Sequence, residues 1–145
     1  MLTKSLSLVL LILVAAAVGF WLGRTTTASA ASSSSAHVFE FRTYTAAPGK
    51  LDALQARFRD NTDRIFKKHG LTSVGYFAPE DEPLAKNTFM YVLSFPSRDA
   101  AKKSWDAFRA DPEWQKVQKE SEANGKLVDH VDSVFADPTD FSRLK

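Results

Sequence analysis

A chain of 145 residues, 44% hydrophobic and 12% aromatic, has room for one folded domain with a real core and not for two comfortable ones. It contains no cysteine, which excludes disulfides, thiolate catalysis and cysteine-ligated zinc or iron–sulfur sites. Its 19 basic side chains fall to 17 once Lys4 and Arg24 are set aside, matching 17 acidic ones, so residues 31–145 lack the electrostatic footprint that nucleic-acid binding requires.

The chain opens with a basic start at Lys4, an apolar run over residues 6–22, and then Ala28-Ser29-Ala30, the small-x-small pattern that signal peptidase reads. Residues 1–30 are expected to be either a signal peptide cleaved after Ala30 or a membrane anchor running through residues 6–22, with Trp21 and Arg24 at the interface. Either places the remainder beyond a membrane, as a periplasmic, cell-envelope, secreted or tethered domain. The segment 31–36, ASSSSA, reads as a Ser-rich linker with nothing to bury, and the folded domain as residues 37–145.

From His37 to Thr45 the side chains alternate: Phe39, Phe41 and Thr43 on one face, Val38, Glu40, Arg42 and Tyr44 on the other, which predicts a strand. Pro48 suits the first turn of a helix whose stripe is Leu51, Leu54, Phe58, Ile65, Phe66 and His69. Asn61 and Thr62 interrupt that stripe where an apolar residue is expected, and Gly70 supplies the stop. LTSVGYFAPE and NTFMYVLSF predict two more strands. A second helix opens at Ser97 as N-cap, buries Ala101, Trp105 and Phe108, and restarts at Asp111-Pro112 with Trp114 and Val117 facing in. A last strand runs from about Leu127 to Phe135.

The order is β-α-β-β-α-β, an α+β, ferredoxin-like sandwich with both helical segments on one face of a four-stranded antiparallel sheet. The other face needs a cover. Val38, Tyr44, Val74, Tyr76, Val128 and Val134 are assigned to it, and a homodimer packing sheet against sheet is the expected solution.

FEFRTYT followed by PGK, then KHG, VGYF, PL and DPEW, resembles the NIPSNAP family over essentially all of residues 37–140. The resemblance implies the dimeric α+β barrel superfamily, which includes cofactor-independent monooxygenases, haem-binding degradation enzymes and small-molecule binders. Fold does not choose among these activities.

Candidate chemistry is sparse. No glycine-rich phosphate loop, no nucleophile elbow and no metal-ligand spacing of histidines occurs, so no catalytic residue, metal or cofactor is assigned. His69 reads as a complement to the helix dipole, or as an acid or base on a pocket rim; His130 as an interfacial residue, or as a haem or metal ligand. Glu40 and Arg42, two apart, read as an ion pair on one sheet face, with carboxylate recognition by Arg42 as the alternative. Tyr76, Tyr91, Trp105 and Trp114 read as core residues or as walls of a cavity between sheet and helices. The candidate pocket is therefore Arg42, Tyr44, His69, Tyr76, Asn87, Tyr91, Trp105, Trp114 and His130, offered to a small apolar or aromatic ligand. The functional expectation is a dimeric binding or accessory module rather than an enzyme. The alternative is a cofactor-independent monooxygenase or haem-handling enzyme assisted by His69 or His130, Tyr76 and Asn87.

Overall fold

The computed structural model describes residues 37–145; the expected leader or anchor (1–30) and linker (31–36) lie outside the described residues. The strands are β1 (Val38–Ala46), β2 (Thr72–Phe77), β3 (Thr88–Phe95) and β4 (Val128–Ala136). Between them lie helices α1 (Leu51–Arg57), α2 (Asp63–Lys68), α3 (Arg98–Ala110) and α4 (Pro112–Ser121). The sheet runs β2-β3-β1-β4 with every neighbouring pair antiparallel, the ferredoxin-like order. Among the described residues no helix is long and apolar enough to cross a membrane.

Local chemistry sets the boundaries. Pro48 lies in the turn before α1 rather than in its first turn, and Gly49 takes the positive φ of +71° that this turn needs. At the far end Leu71 N–H donates to Phe66 O and Gly70 N–H to Lys67 O, a Schellman stop that needs the left-handed φ of +74° at Gly70. Ser97 Oγ accepts from Ala100 N–H at 3.1 Å to open α3, and Asp111 Oδ1 accepts from Glu113 N–H at 2.8 Å to open α4. Between α1 and α2, Phe58–Thr62 forms a π-helical turn, with right-handed dihedrals kept on both sides so that the helix runs on. It falls on the Asn61-Thr62 interruption of the apolar stripe.

One core lies between sheet and helices, built from Val38 and Ala46 of β1, Phe89, Tyr91, Leu93 and Phe95 of β3, and Leu54, Phe58, Ile65, Phe66, Ala101, Trp105 and Phe108 of the helices. This reverses the assignment of faces on β1. Of the six residues assigned to the uncovered face only Val74 and Val134 stand exposed, while Val38 is core and Tyr44, Tyr76 and Val128 pack against it. The open face instead carries Phe41, paired across the sheet with Val134 and Val92, and in the next row Met90, paired with Phe77. The inversion has a cause: Glu40 and Arg42, whose charge marks an outward face, are turned inward and neutralise one another there. The register of β2 shifts between Ser73 and Gly75, a bulge at which a Cβ on Gly75 would come within 2.9 Å of the Phe77 ring, so the space serves a neighbouring side chain rather than a ligand.

Candidate functional site

Two side chains of β1 build one polar wall. The Glu40 carboxylate, buried to 1% exposure, accepts from Arg42 Nη1 (2.9 Å), Trp105 Nε1 (2.6 Å) and Ser133 Oγ (2.7 Å). Three donors on one carboxylate offset the cost of burying it. The Arg42 guanidinium lies 4.4 Å from the Trp105 ring centroid, a cation–π contact. One step along β1, Tyr91 donates its hydroxyl proton to Tyr44 at 3.0 Å, leaving the Tyr44 hydroxyl hydrogen for a further acceptor. Burial, with the Tyr44 hydroxyl beside it, pushes the Tyr91 phenol well above its ordinary pKa, so it acts as a neutral donor and not as a base.

The facing wall comes from the helices. Phe58 and Thr62 point inward from the π-helical turn, and Thr62 Oγ1 donates to Arg57 O at 3.1 Å. π-turns of this kind interrupt α-helices frequently at functional sites. With Tyr44, Phe66, Phe108, Trp114 and Val131 these residues enclose a cleft of about 320 Å³, within the size range of small-ligand sites. Trp114 packs against Phe108 with ring centroids 4.4 Å apart and planes tilted by 33°. Arg57 also lines the cleft, its Nη1 donating to Glu122 Oε1 (3.0 Å) and Ser121 Oγ (3.3 Å).

A second cleft, of about 430 Å³, lies on the other side of Phe58 and is lined by Tyr76, Phe89, Asp63 and Arg59. Tyr76 and Ser73 both donate to Asp63 Oδ1 at 2.9 Å, and Lys67 to Oδ2 at 2.7 Å. Burial alone would raise the Asp63 pKa, but these hydrogen bonds outweigh it and hold the carboxyl below its usual range. Burial and the Asp63 carboxylate together push the Tyr76 phenol well above its ordinary value.

The nine sequence candidates thus divide. Tyr44 and Trp114 line the first cleft, Tyr91 supports Tyr44 from behind, and Arg42 and Trp105 belong to the adjoining Glu40 network. Tyr76 stands in the second cleft. Three fall away. His69 Nε2 meets Asp111 Oδ2 at 2.6 Å, beside Lys68 at 2.8 Å, and so ties the end of α2 to the cap of α4 instead of facing a cleft. Asn87 spends its backbone carbonyl on Ala46 N–H and its side-chain oxygen on Thr88, at the end of β3. His130 lies exposed beside Asp132 (3.1 Å), in a row of the open sheet face away from both clefts. Arg57, Phe58, Thr62 and Glu122 were not anticipated as site residues. The break at Asn61-Thr62 was the available signal for the turn; nothing local marks Arg57 as buried.

The NIPSNAP family model matches residues 39–143. A crystal structure of a NIPSNAP family protein of unknown function from Agrobacterium tumefaciens is similar with a TM-score of 0.67 and 26% identity, over 77% of this chain and 96% of that one. A NIPSNAP-like domain protein from Burkholderia xenovorans is similar with a TM-score of 0.64 and 20% identity, over 73% and 88%. A Streptomyces coelicolor monooxygenase in complex with nanaomycin D has a TM-score of 0.52 at 16% identity, over 72% and 89%, a likeness of fold alone. No curated protein sequence matches the chain. With the family model spanning residues 39–143, and so most of the chain, this protein belongs to the NIPSNAP family.

Proposed function

We propose that this NIPSNAP protein is a dimeric small-molecule-binding or accessory module whose ligand, small and largely apolar, occupies the cleft between Tyr44 and Trp114. The observation that carries the reading is the aromatic-walled cavity of about 320 Å³ set against a π-helical turn. Flat rings lining it favour a planar guest, and the Tyr44 hydroxyl offers that guest a hydrogen bond. Titration of the full-length protein with 2-naphthol, a planar probe with one hydroxyl, should give saturable binding that Trp114→Ala weakens at least fivefold, since each lost aromatic contact is worth about 1 kcal/mol. Binding unaffected by Trp114→Ala would refute the cleft. Oxygen uptake during incubation with a hydroquinone would favour the other reading, a cofactor-independent oxygenase of the same fold.

The same proposal includes the partner and the location. The exposed apolar side chains in two adjacent rows of the open face, Phe41 with Val134 and Met90 with Phe77, support a second copy packed sheet against sheet. The apolar run over residues 6–22 supports export or tethering at a membrane. Because residues 37–145 hold their own core, a chain beginning at Ala31 should be soluble, cooperatively folded and dimeric at micromolar concentration. Val134→Asp should dissociate it and leave the core intact. A fully folded monomer by sedimentation would contradict the dimer.

A further inference from the structure

Arg57 is an expensive residue to bury beneath a helix, and its neighbours do not use it fully. Its side chain is 5% exposed, its Nε is buried with no hydrogen-bond partner among the described residues, and Glu122 engages only Nη1. A guanidinium has five donors arranged to grip a carboxylate through two nitrogens; Ser121 and Glu122 both fall on Nη1, which leaves Nη2 without a partner among the described residues and Nε orphaned inside the protein. The group lies 5.3 Å from the Trp114 ring centroid and lines the cleft, as does Lys126. Two cations there face one carboxylate, Glu122, whose side chain is 27% exposed. The lining of the cleft thus combines apolar aromatic rings with a net positive charge.

We propose that the cleft selects an aromatic carboxylate, with Arg57 gripping the carboxylate, Lys126 supporting it and Glu122 holding Arg57 in place until the ligand arrives. This rests on reading the cleft as the binding site and adds the chemical class of its occupant. A phosphate monoester would satisfy the cations equally well, but the ring-lined sides and the single guanidinium fit a flat carboxylic acid better than a tetrahedral dianion.

The test compares 1-naphthoate with its neutral isostere 1-naphthamide by calorimetry on the full-length protein at neutral pH. Naphthoate should bind about tenfold tighter or more, as a charge-assisted pair does over a neutral one. Arg57→Met should bring naphthoate down to the affinity of the amide. Glu122→Gln, which releases Arg57 from its resident carboxylate, should widen the preference for naphthoate over the amide; a preference no greater than the parent's would count against Arg57, so this variant decides the matter if Arg57→Met does not fold. Equal affinity for the two probes in the parent protein would overturn the role of Arg57 while leaving the cleft a binding site. A naphthoate preference that survives in folded Arg57→Met would overturn it too. If neither probe binds, the cleft reading falls and this proposal with it.

Discussion

Replacing Glu40 with alanine should cost the domain roughly 3–5 kcal/mol, the range seen when one partner of a buried ion pair is removed. The substitution strips the acceptor from Arg42, Trp105 and Ser133 at once. Arg42 retains 18% side-chain exposure, so some water can reach the orphaned charge and the loss should sit toward the lower end. In thermal unfolding that is a fall in Tm on the order of 10 °C or more for a domain of this size. Glu40→Gln keeps an oxygen for Trp105 and should lose less. Adding Arg42→Met to Glu40→Ala should recover part of the loss, because the uncompensated charge is then gone. If Glu40→Ala unfolds within a degree or two of the parent, the network contributes nothing and the inward assignment of this face of β1 is wrong.

Phe58→Ala should be the other severe change, destabilising by roughly 3–5 kcal/mol. Its ring contacts five others, Tyr44, Phe66, Tyr76, Phe89 and Tyr91, with centroids 4.9–5.9 Å away. Removing it deletes buried area and several edge-to-face pairs together, and neighbours held by the sheet cannot close the gap. Phe58 also separates the two clefts, so the variant should join them into one larger cavity. An apolar probe such as benzene should then raise the Tm of Phe58→Ala more than that of the parent. Denaturant unfolding and the benzene series measure both effects; an unchanged stability would mean that the ring is not central to the core.

Signals confined to a few neighbouring residues were legible in the sequence. Ser97 and Asp111 cap their helices as their position beside the following helical patterns implies, Gly70 stops α2, and β4 at Val128–Ala136 lies one residue from its expected bounds. The pairing of Glu40 with Arg42 was legible for the same reason, since alternation puts residues two apart on one face. What alternation cannot supply is which face meets the helices. Hydrophobicity pointed to Phe39 and Phe41, but Trp105, 65 residues away in sequence, gives Glu40 its buried partner and decides the matter. His69 is a similar case: the approach of Asp111 across 42 residues, not the end of its own helix, determines what it touches. The cleft was legible only in part. Tyr44 and Trp114 stood among the candidate pocket residues, whereas Phe58, Phe66 and Phe108 read as core and Arg57 meets Glu122 only through the packing of α4 near α1.

Heteronuclear NMR of the indole N–H groups distinguishes a ligand in the cleft between Tyr44 and Trp114 from one bound elsewhere. Trp105 donates its indole proton to Glu40 inside the polar network, while Trp114 stands in the cleft wall, so the two report on different places. Addition of 2-naphthol should move the Trp114 resonance in a saturable way, leave Trp105 nearly still, and leave the backbone signals of Phe41 and Val134 on the open sheet face unchanged. Shifts confined to Phe41, Val134 and their neighbours, with Trp114 unmoved at saturation, would rule out the cleft and place the binding surface on the other side of the sheet.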